Sequence, residues 1–305
     1  MSFKTLRDVD LSGKTVLLRA DLNVPAKDGV VTDSTRIDRL KPTIDWLVKN
    51  GAKTLILSHF GRPEGQRNDK YSLKFILPAL KESWGVDVAF ATDCIGEPAK
   101  TLSDSLKSGQ VGLLENLRFH AGEEANDAAF GRELAKLGTI YVNDAFSAAH
   151  RAHASTEGLA HILPAYAGFL MEAELNALTA ALEAPKKPVM ALVGGSKIST
   201  KLSVLNNLVG KVDYLVLRSM SSSSLEPKHT QPATSTCQTN LTTQARTIMA
   251  TAAKSGCQII LPVDHIVVKD LKEGAEYKSV AAGTIPADMG TVDIGADSVK
   301  TVQEI

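Results

Sequence analysis

In the first half of the chain, charged and polar side chains repeatedly come directly after short apolar segments. The periodicity predicts that each segment is a buried strand of a parallel sheet, and such sheets bind ligands in the crevice beyond the carboxyl ends of their strands. Arginine suits this place because it grips phosphate or carboxylate with two hydrogen bonds. The candidate site residues are Asp21, Asn23, Arg36, His59, Arg62, Arg118 and Arg151.

Taken singly, each of these side chains is more simply explained as a surface ion-pair residue. Taken together, four guanidiniums about 8 Å apart at an effective dielectric of ~20 would repel one another by ~2 kcal/mol per pair, so the cluster makes sense around an anion. The carboxylate of Asp21 and the amide of Asn23 would complement hydroxyl groups on the same ligand. The joint pattern therefore predicts a small phosphorylated acid as the substrate.

A second anion site is predicted where an apolar strand ends in Gly194 and Gly195 and a helix follows. Two glycines allow backbone N–H groups to approach a phosphate, and the start of the helix adds positive potential. Lys197 and Lys201 lie four residues apart on one face of that helix. The spacing fits neither GxxxxGK[ST] nor GxGxxG, so a solvated lysine pair is an equally good explanation. Two phosphate sites would suit in-line phosphoryl transfer, which depends on positioning and positive charge.

The histidines do not predict a metal centre. None of them is arranged as HExxH, and no CxxC pair occurs in the sequence. The residues considered are His120, His150, His153 and His161.

Apolar periodicity alternates between the two kinds of element that such a site requires. Strands are predicted at 15–19, 54–58, 86–89, 111–115 and 140–144, and helices at 35–50, 72–84, 96–106, 127–137 and 170–182. The second half repeats the alternation, with strands at 188–193, 214–217 and 258–262 and helices at 199–208 and 244–255. We therefore predict an α/β protein with two successive lobes, each built on a parallel sheet with helices on its faces.

Length and composition limit the class of protein. At 305 residues the chain is long enough for two domains, and 44% hydrophobic with 22% charged residues is typical of a globular protein. Lys+Arg and Asp+Glu are both 34, so the net charge of zero gives no indication of nucleic acid or an anionic membrane as a partner. Three scattered cysteines and the absence of a signal peptide or an apolar run of 18 residues favour a cytoplasmic protein.

Residues 218–243 break the pattern, because they are rich in Ser, Thr, Pro and Gln and have almost no apolar periodicity. By composition they resemble a disordered linker, although they directly follow a predicted buried strand. We predict an N-terminal lobe at 1–169, a helical connection at 170–184 and a partial second lobe at 185–305, with 218–243 irregular.

Six motifs together resemble the bacterial phosphoglycerate kinase family, and the match runs almost continuously from residue 1 to Leu217. They are LRADLNVP at 18–25, SHFGRP at 58–63, LENLRF at 114–119, NDAFS at 143–147, HRAHAS at 150–155 and GGSKISTK at 194–201. The resemblance implies two Rossmann-like parallel-sheet lobes joined by a hinge helix, here at 170–184. It also implies a monomeric enzyme that transfers a phosphoryl group between 1,3-bisphosphoglycerate and ADP, giving 3-phosphoglycerate and ATP, with Mg²⁺ bound to the nucleotide.

The resemblance also implies roles for the candidate residues. It assigns all seven residues of the first cluster to 3-phosphoglycerate, and Arg36 also to the phosphoryl group in transfer. Lys197 would assist the transfer beside Gly194 and Gly195, and Lys201 would hold the nucleotide phosphates.

The sequence departs from the family in two places. Arg218, Ser219 and Met220 stand where the family has a Gly-Gly-Gly turn near the nucleotide, and we interpret 218–243 as the product of two compensating frame shifts. The family's Trp-Asn-Gly-Pro and Gly-Gly-Gly-Asp-Thr segments and its C-terminal end are missing. A catalytically dead fragment that still binds 3-phosphoglycerate is therefore the alternative. A dinucleotide-dependent oxidoreductase is a third possibility, against which the missing GxGxxG argues.

Overall fold

The computed structural model describes residues 3–182, 185–194, 201–218, 236–286 and 288–305. The chain divides into two compact units, Met1–Thr179 and Ala180–Ile305. The predicted domain bounds and the hinge role of 170–184 stay predictions, and residues 183 and 184 lie outside the described residues.

A six-stranded parallel sheet forms the centre of the first unit, in the order β5-β6-β4-β1-β7-β8. A two-stranded antiparallel ribbon, β2 with β3, lies outside it. The strands are β1 (Thr15–Arg19), β2 (Ala26–Lys27), β3 (Val30–Val31), β4 (Lys53–Leu57), β5 (Val88–Phe90), β6 (Val111–Leu113), β7 (Ile140–Asn143) and β8 (Ala165–Ala167).

Helices connect these strands. They are α1 (Thr35–Lys49), α2 (Leu77–Trp84), α3 (Gly96–Ser105), α4 (Ala121–Glu124), α5 (Ala128–Ala135), α6 (Leu159–Ile162) and α7 (Phe169–Leu182). Short 3-10 turns occupy Leu6–Asp8, Asp69–Tyr71, Leu73–Ile76, Leu117–Phe119 and Phe146–Ala148, and a π-helical turn occupies Ala154–Gly158.

The sheet has a hydrophobic core on each face because successive side chains of a strand point to opposite sides. In β1, Val16 and Leu18 belong to one core, while Leu17 between them belongs to the other. Leu40 of α1 packs in the first core and Leu134 of α5 in the second. Helices therefore cover both faces, as the alternation of apolar segments predicts.

The second unit contains two three-stranded sheets among its described residues. The parallel sheet has the order β11-β10-β9, and the antiparallel sheet has the order β13-β12-β14. The strands are β9 (Met190–Gly194), β10 (Tyr214–Arg218), β11 (Gln258–Ile260), β12 (Asp264–Val268), β13 (Tyr277–Ala281) and β14 (Gly290–Ile294). The helices are α8 (Leu202–Leu208), α9 (Thr236–Ser255) and α10 (Ala296–Gln303).

Two predicted elements differ from the structure. Residues 72–84 are not one helix, because a 3-10 turn precedes α2 and Pro78, which has no N–H to donate, lies in the first turn of α2. The prediction that 218–243 is irregular is wrong at both ends, since β10 extends to Arg218 and α9 already begins at Thr236. Residues 219–235 lie outside the described part of the chain.

Candidate active site

Four adjacent strands of the first unit end at one edge of the sheet, and each leads into candidate residues. In the order β6-β4-β1-β7 the strands run parallel, so their carboxyl ends lie side by side. The register aligns Arg19, the last residue of β1, with Leu57 of β4 and Asn143 of β7. The chain leaves these four ends toward Arg118, His59, Asp21 and Arg151, respectively.

Asp21, Asn23 and Arg36 form one connected group. The Arg36 guanidinium lies 2.9 Å from the nearer Asp21 carboxylate oxygen, and its Nη1 donates to the backbone oxygen of Asn23 at 2.8 Å. Ser147 Oγ, beyond the end of β7, donates to Asp21 Oδ2 at 2.5 Å. Because 47% of the Arg36 side chain is still exposed, its remaining N–H groups can reach a ligand.

Gly61 joins that group to Arg118. Its N–H donates to Asn23 Oδ1 at 3.0 Å, and its carbonyl accepts from Arg118 Nη1 at 2.8 Å. Gly61 has φ of +60°, and an added Cβ would lie 2.4 Å from the Tyr71 ring. A glycine is therefore required both by the backbone conformation and by the space available.

His59 is held as a neutral imidazole. Arg19 Nη2 lies 3.0 Å from His59 Nδ1, and a guanidinium can only donate, so Nδ1 accepts and the ring proton is on Nε2. Burial lowers the pKa of His59 to about 2, with further lowering by the positive charges of Arg19, Arg118 and Arg151. His59 therefore carries an N–H donor and no charge at neutral pH.

Arg118 and Arg151 are close enough for the charge of one to affect the other. Arg118 is buried, and its Nε lies 3.1 Å from Glu124 Oε1. Burial lowers the pKa of Arg118, Glu124 opposes that shift, and Arg151 adds to it. Arg151 Nε is 3.4 Å from His150 Nε2, and within the described part of the chain no carboxylate pairs with Arg151.

Arg62 is exposed, and none of the described residues forms a hydrogen bond or ion pair with it. It follows Gly61 directly, so the turn that binds Asn23 and Arg118 also fixes the Arg62 backbone. The structure thus links six of the seven candidates through bonds or mutual electrostatic effects and leaves Arg62 beside them.

Sequence reasoning missed a buried polar network behind the site. Arg19 is 1% exposed and donates from Nε to Ser155 Oγ at 2.9 Å. Ser155 Oγ in turn donates to Glu123 Oε1 at 2.5 Å, and Glu123 is fully buried. Arg19 stands inside the motif at 18–25, but a charged residue at a strand end does not by itself signal burial. The network fixes the guanidinium that sets the His59 tautomer.

In the second unit the described part of the second predicted site is Gly194 and Lys201. Gly194 ends β9, and Lys201 immediately precedes α8, with its Nζ donating to the Gly194 carbonyl. In the parallel pairing of β9 with β10, Arg218 lies opposite Gly194. Gly195 and Lys197 lie outside the described residues.

The family model for phosphoglycerate kinase matches residues 6–305. The phosphoglycerate kinase of Rhodospirillum centenum is 53% identical over 303 residues, which cover 99% of this chain and 76% of that protein. The phosphoglycerate kinase of Cereibacter sphaeroides is 50% identical over 307 residues, covering 100% of this chain and 77% of that protein.

Solved structures of phosphoglycerate kinases also align with this chain. The structure of phosphoglycerate kinase from Coxiella burnetii aligns with a TM-score of 0.80 and 35% identity, over 99% of this chain and 77% of that one. The enzyme from Pyrococcus horikoshii aligns with a TM-score of 0.78 and 28% identity. Together with the match of the family model over nearly the whole sequence, these alignments show that this chain belongs to the phosphoglycerate kinase family.

Proposed function

We propose that the edge of the six-stranded sheet is the 3-phosphoglycerate site through which this chain carries out the reaction of its family. That reaction is the glycolytic phosphoryl transfer between 1,3-bisphosphoglycerate and ADP, which gives 3-phosphoglycerate and ATP. The chain is a kinase of this family, and the comparisons give no support to the alternative of a catalytically dead fragment. The observation that carries the site is the convergence of four parallel strand ends on guanidiniums and a neutral imidazole.

The acid would be bound by groups of three kinds. The Arg62, Arg118 and Arg151 guanidiniums would bind its phosphate and carboxylate oxygens, because arginine matches both in bidentate geometry. His59 would donate one further hydrogen bond from Nε2 without adding a charge. The Asp21 carboxylate and the Asn23 amide would bind the hydroxyl.

Arg36 would stabilise the phosphoryl group during transfer. Its contacts with Asp21 and Asn23 fix one end of the guanidinium, while nearly half of the side chain is exposed. Preorganised positive charge is the main contribution that a protein makes to phosphoryl transfer, because little covalent chemistry is required of it.

Mg-ADP and Mg-ATP would be the nucleotide substrates. Lys201 is a cation at the carboxyl end of β9, beside the Gly194 carbonyl, and it would hold the nucleotide phosphates there. Lys197, Gly194 and Gly195 would assist the transfer, as the family motif implies. No protein ligand for the magnesium ion is assigned, so the ion would arrive with the nucleotide.

We further propose a cytoplasmic, monomeric enzyme with small-molecule substrates. Among the described residues, no helix combines the length and apolarity needed to cross a membrane. Cys94 and Cys257 are free and buried, which suits a reducing compartment. The balanced charge gives no electrostatic reason for binding nucleic acid or a membrane surface.

The test is the rate of 1,3-bisphosphoglycerate formation from 3-phosphoglycerate and Mg-ATP by the wild type, Arg36→Lys and Arg39→Lys. Lysine keeps the charge but loses the planar donor geometry, so we expect kcat of Arg36→Lys to fall by about 10²- to 10³-fold. Arg39, also exposed on α1, is the matched control and should change kcat less than about twofold. Equal rates for the two variants, or no turnover by the wild type, would contradict the proposal.

A further inference from the structure

A thiol, an imidazole and a carboxylate meet on the first unit, beyond the carboxyl ends of β5 and β6, and none of them is among the candidate residues described above. Asp93 and Cys94 lie in the loop between β5 and α3, and His120 follows the turn Leu117–Phe119. The possible ligand atoms of these three residues all lie within 4.8 Å of one another. Cys94 and His120 are far apart in the sequence, which is why their spacing gives no metal signal.

These distances are close to those of a zinc centre. Zinc bonds of ~2.3 Å to sulfur and ~2.0–2.2 Å to nitrogen or oxygen, in tetrahedral geometry, place ligand atoms roughly 3.3–3.7 Å apart. In the structure, His120 Nε2 lies 2.7 Å from Asp93 Oδ1. Shifts of about 1 Å in the side chains would therefore convert the cluster from a hydrogen-bonded set into a set of ligands.

The surrounding contacts hold the three groups in place. Asp93 Oδ1 accepts from the backbone N–H of Cys94 at 2.7 Å, which fixes the carboxylate against its own loop. The His120 ring is stacked on Phe130 with centroids 5.2 Å apart. Cys94 is fully buried, whereas the side chains of Asp93 and His120 are 36% and 29% exposed. A metal ion can therefore enter from the side of the imidazole and carboxylate.

Cys94 packs in the hydrophobic core on one face of the sheet, and its sulfur lies at the border of that core, within 4.8 Å of the hydrogen-bonded His120 and Asp93. We propose that Asp93, Cys94 and His120 form a binding site for Zn²⁺ or a similar thiophilic divalent cation. The fourth position of the tetrahedron is open to water, since three protein ligands are present. On binding, the Cys94 thiol releases its proton to solvent and the thiolate coordinates the cation.

The position of the site suggests a structural role. His120 is two residues from Arg118, and a bound cation would join this segment to the loop after β5. It would thus stabilise the backbone that carries one of the proposed substrate-binding arginines, without taking part in the transfer itself.

Cobalt(II) absorption on the reduced, metal-free full chain tests the proposal. We expect one equivalent of Co²⁺ to produce a sulfur-to-cobalt charge-transfer band and the intense visible bands of tetrahedral cobalt. Added Zn²⁺ should displace the cobalt and remove all of these bands. Cys94→Ser should abolish the charge-transfer band, whereas the control Cys257→Ser, at another buried free cysteine, should retain it.

A second variant covers the possibility that Cys94→Ser does not fold. His120→Gln changes a partly exposed ring, and it should weaken Co²⁺ binding by about tenfold or more. Absence of the charge-transfer band in the wild type, its survival in folded Cys94→Ser, or unchanged Co²⁺ affinity in His120→Gln would overturn the proposal.

Discussion

At the scale of single residues, the state of His59 depends on its neighbour Arg19. A protonated His59 would have to face a guanidinium at 3.0 Å in a buried position, so the neutral ring is favoured. An uncharged donor keeps its hydrogen bond to an anionic ligand over the whole physiological pH range. The proposed site would therefore bind the acid without a histidine titration near neutrality.

His59 should remain neutral with the proton on Nε2 between pH 8 and pH 5. Long-range ¹H–¹⁵N correlation spectra would show an unprotonated Nδ1 and a protonated Nε2 throughout, with His59→Gln used for assignment and the exposed ring of His161 as a reference in the same spectra. A ring that becomes doubly protonated between pH 7 and pH 5 would contradict the structure.

The lowered pKa of His59 also makes the stability of the folded protein depend on pH. The ordinary pKa of 6.5 applies to His59 in the unfolded chain, and burial and the neighbouring arginines lower the pKa to about 2 in the folded protein. Between these two pKa values, His59 is protonated in the unfolded chain and neutral in the folded chain. The contribution of His59 to the free energy of unfolding therefore falls as the pH drops from about 6.5 toward 2.

The residue types in the sequence predicted the candidate site, but they did not predict the buried polar network that holds it in place. The polar residues after strands could be identified because an apolar strand that ends in His59 or Asp21 is a local pattern. Arg19 and Glu123 could not, because both are held by Ser155, which lies 136 residues from Arg19 and 32 residues from Glu123 in the sequence. The cluster of Cys94 and His120 was missed for the same reason.

At the scale of elements, the junction between β7 and α7 depends on a buried carboxylate. Thr43 Oγ1 on α1 donates to Asp144 Oδ2 at 2.6 Å, and the backbone N–H of Met171 donates to Oδ1 at 3.0 Å. Burial raises the pKa of Asp144, while these hydrogen bonds oppose the shift. Thr43 Oγ1 also accepts from the N–H of Phe169 at the start of α7, so one hydroxyl serves both the carboxylate and the helix.

Thr43→Val should therefore lower the free energy of unfolding by about 1–3 kcal/mol, because it removes the hydrogen bond to Asp144 Oδ2 and the one that the Phe169 N–H donates. The matched control is Thr54→Val on β4, where the buried hydroxyl has no hydrogen-bond partner within the described part of the chain. Valine at position 54 should be neutral or stabilising. Urea unfolding of the two variants measures the difference, and equal losses at both positions would contradict this account.

Elements with strong apolar patterns were predicted closely, and those without them were not. β1 coincides with its prediction at both ends, because all its interior residues are apolar and Asp21 follows closely. The first turns of α9 were missed, since Thr236 and its neighbours have the composition of a linker and no apolar stripe. The antiparallel sheet of β12, β13 and β14 was not predicted either, because β13 is mostly exposed and carries little apolar signal.

At the scale of the whole molecule, the chain combines a unit built on a six-stranded sheet with a smaller second unit. It spans about three-quarters of the length of the relatives it matches. The candidate acid site lies entirely within the first unit, and the candidate nucleotide residues Gly194 and Lys201 lie in the second. The candidate residues for the two substrates therefore belong to different units of the chain.

Titration calorimetry of 3-phosphoglycerate into the full chain tests the central claim most directly. We predict one site per chain, and binding weakened by about tenfold or more in Arg62→Ala, since Arg62 is exposed and its loss removes a charged contact without disturbing the core. Arg132→Ala, at an exposed position on α5, should bind like the wild type. No binding to the folded wild type, or the same affinity in both variants, would contradict the assignment of this sheet edge as the 3-phosphoglycerate site.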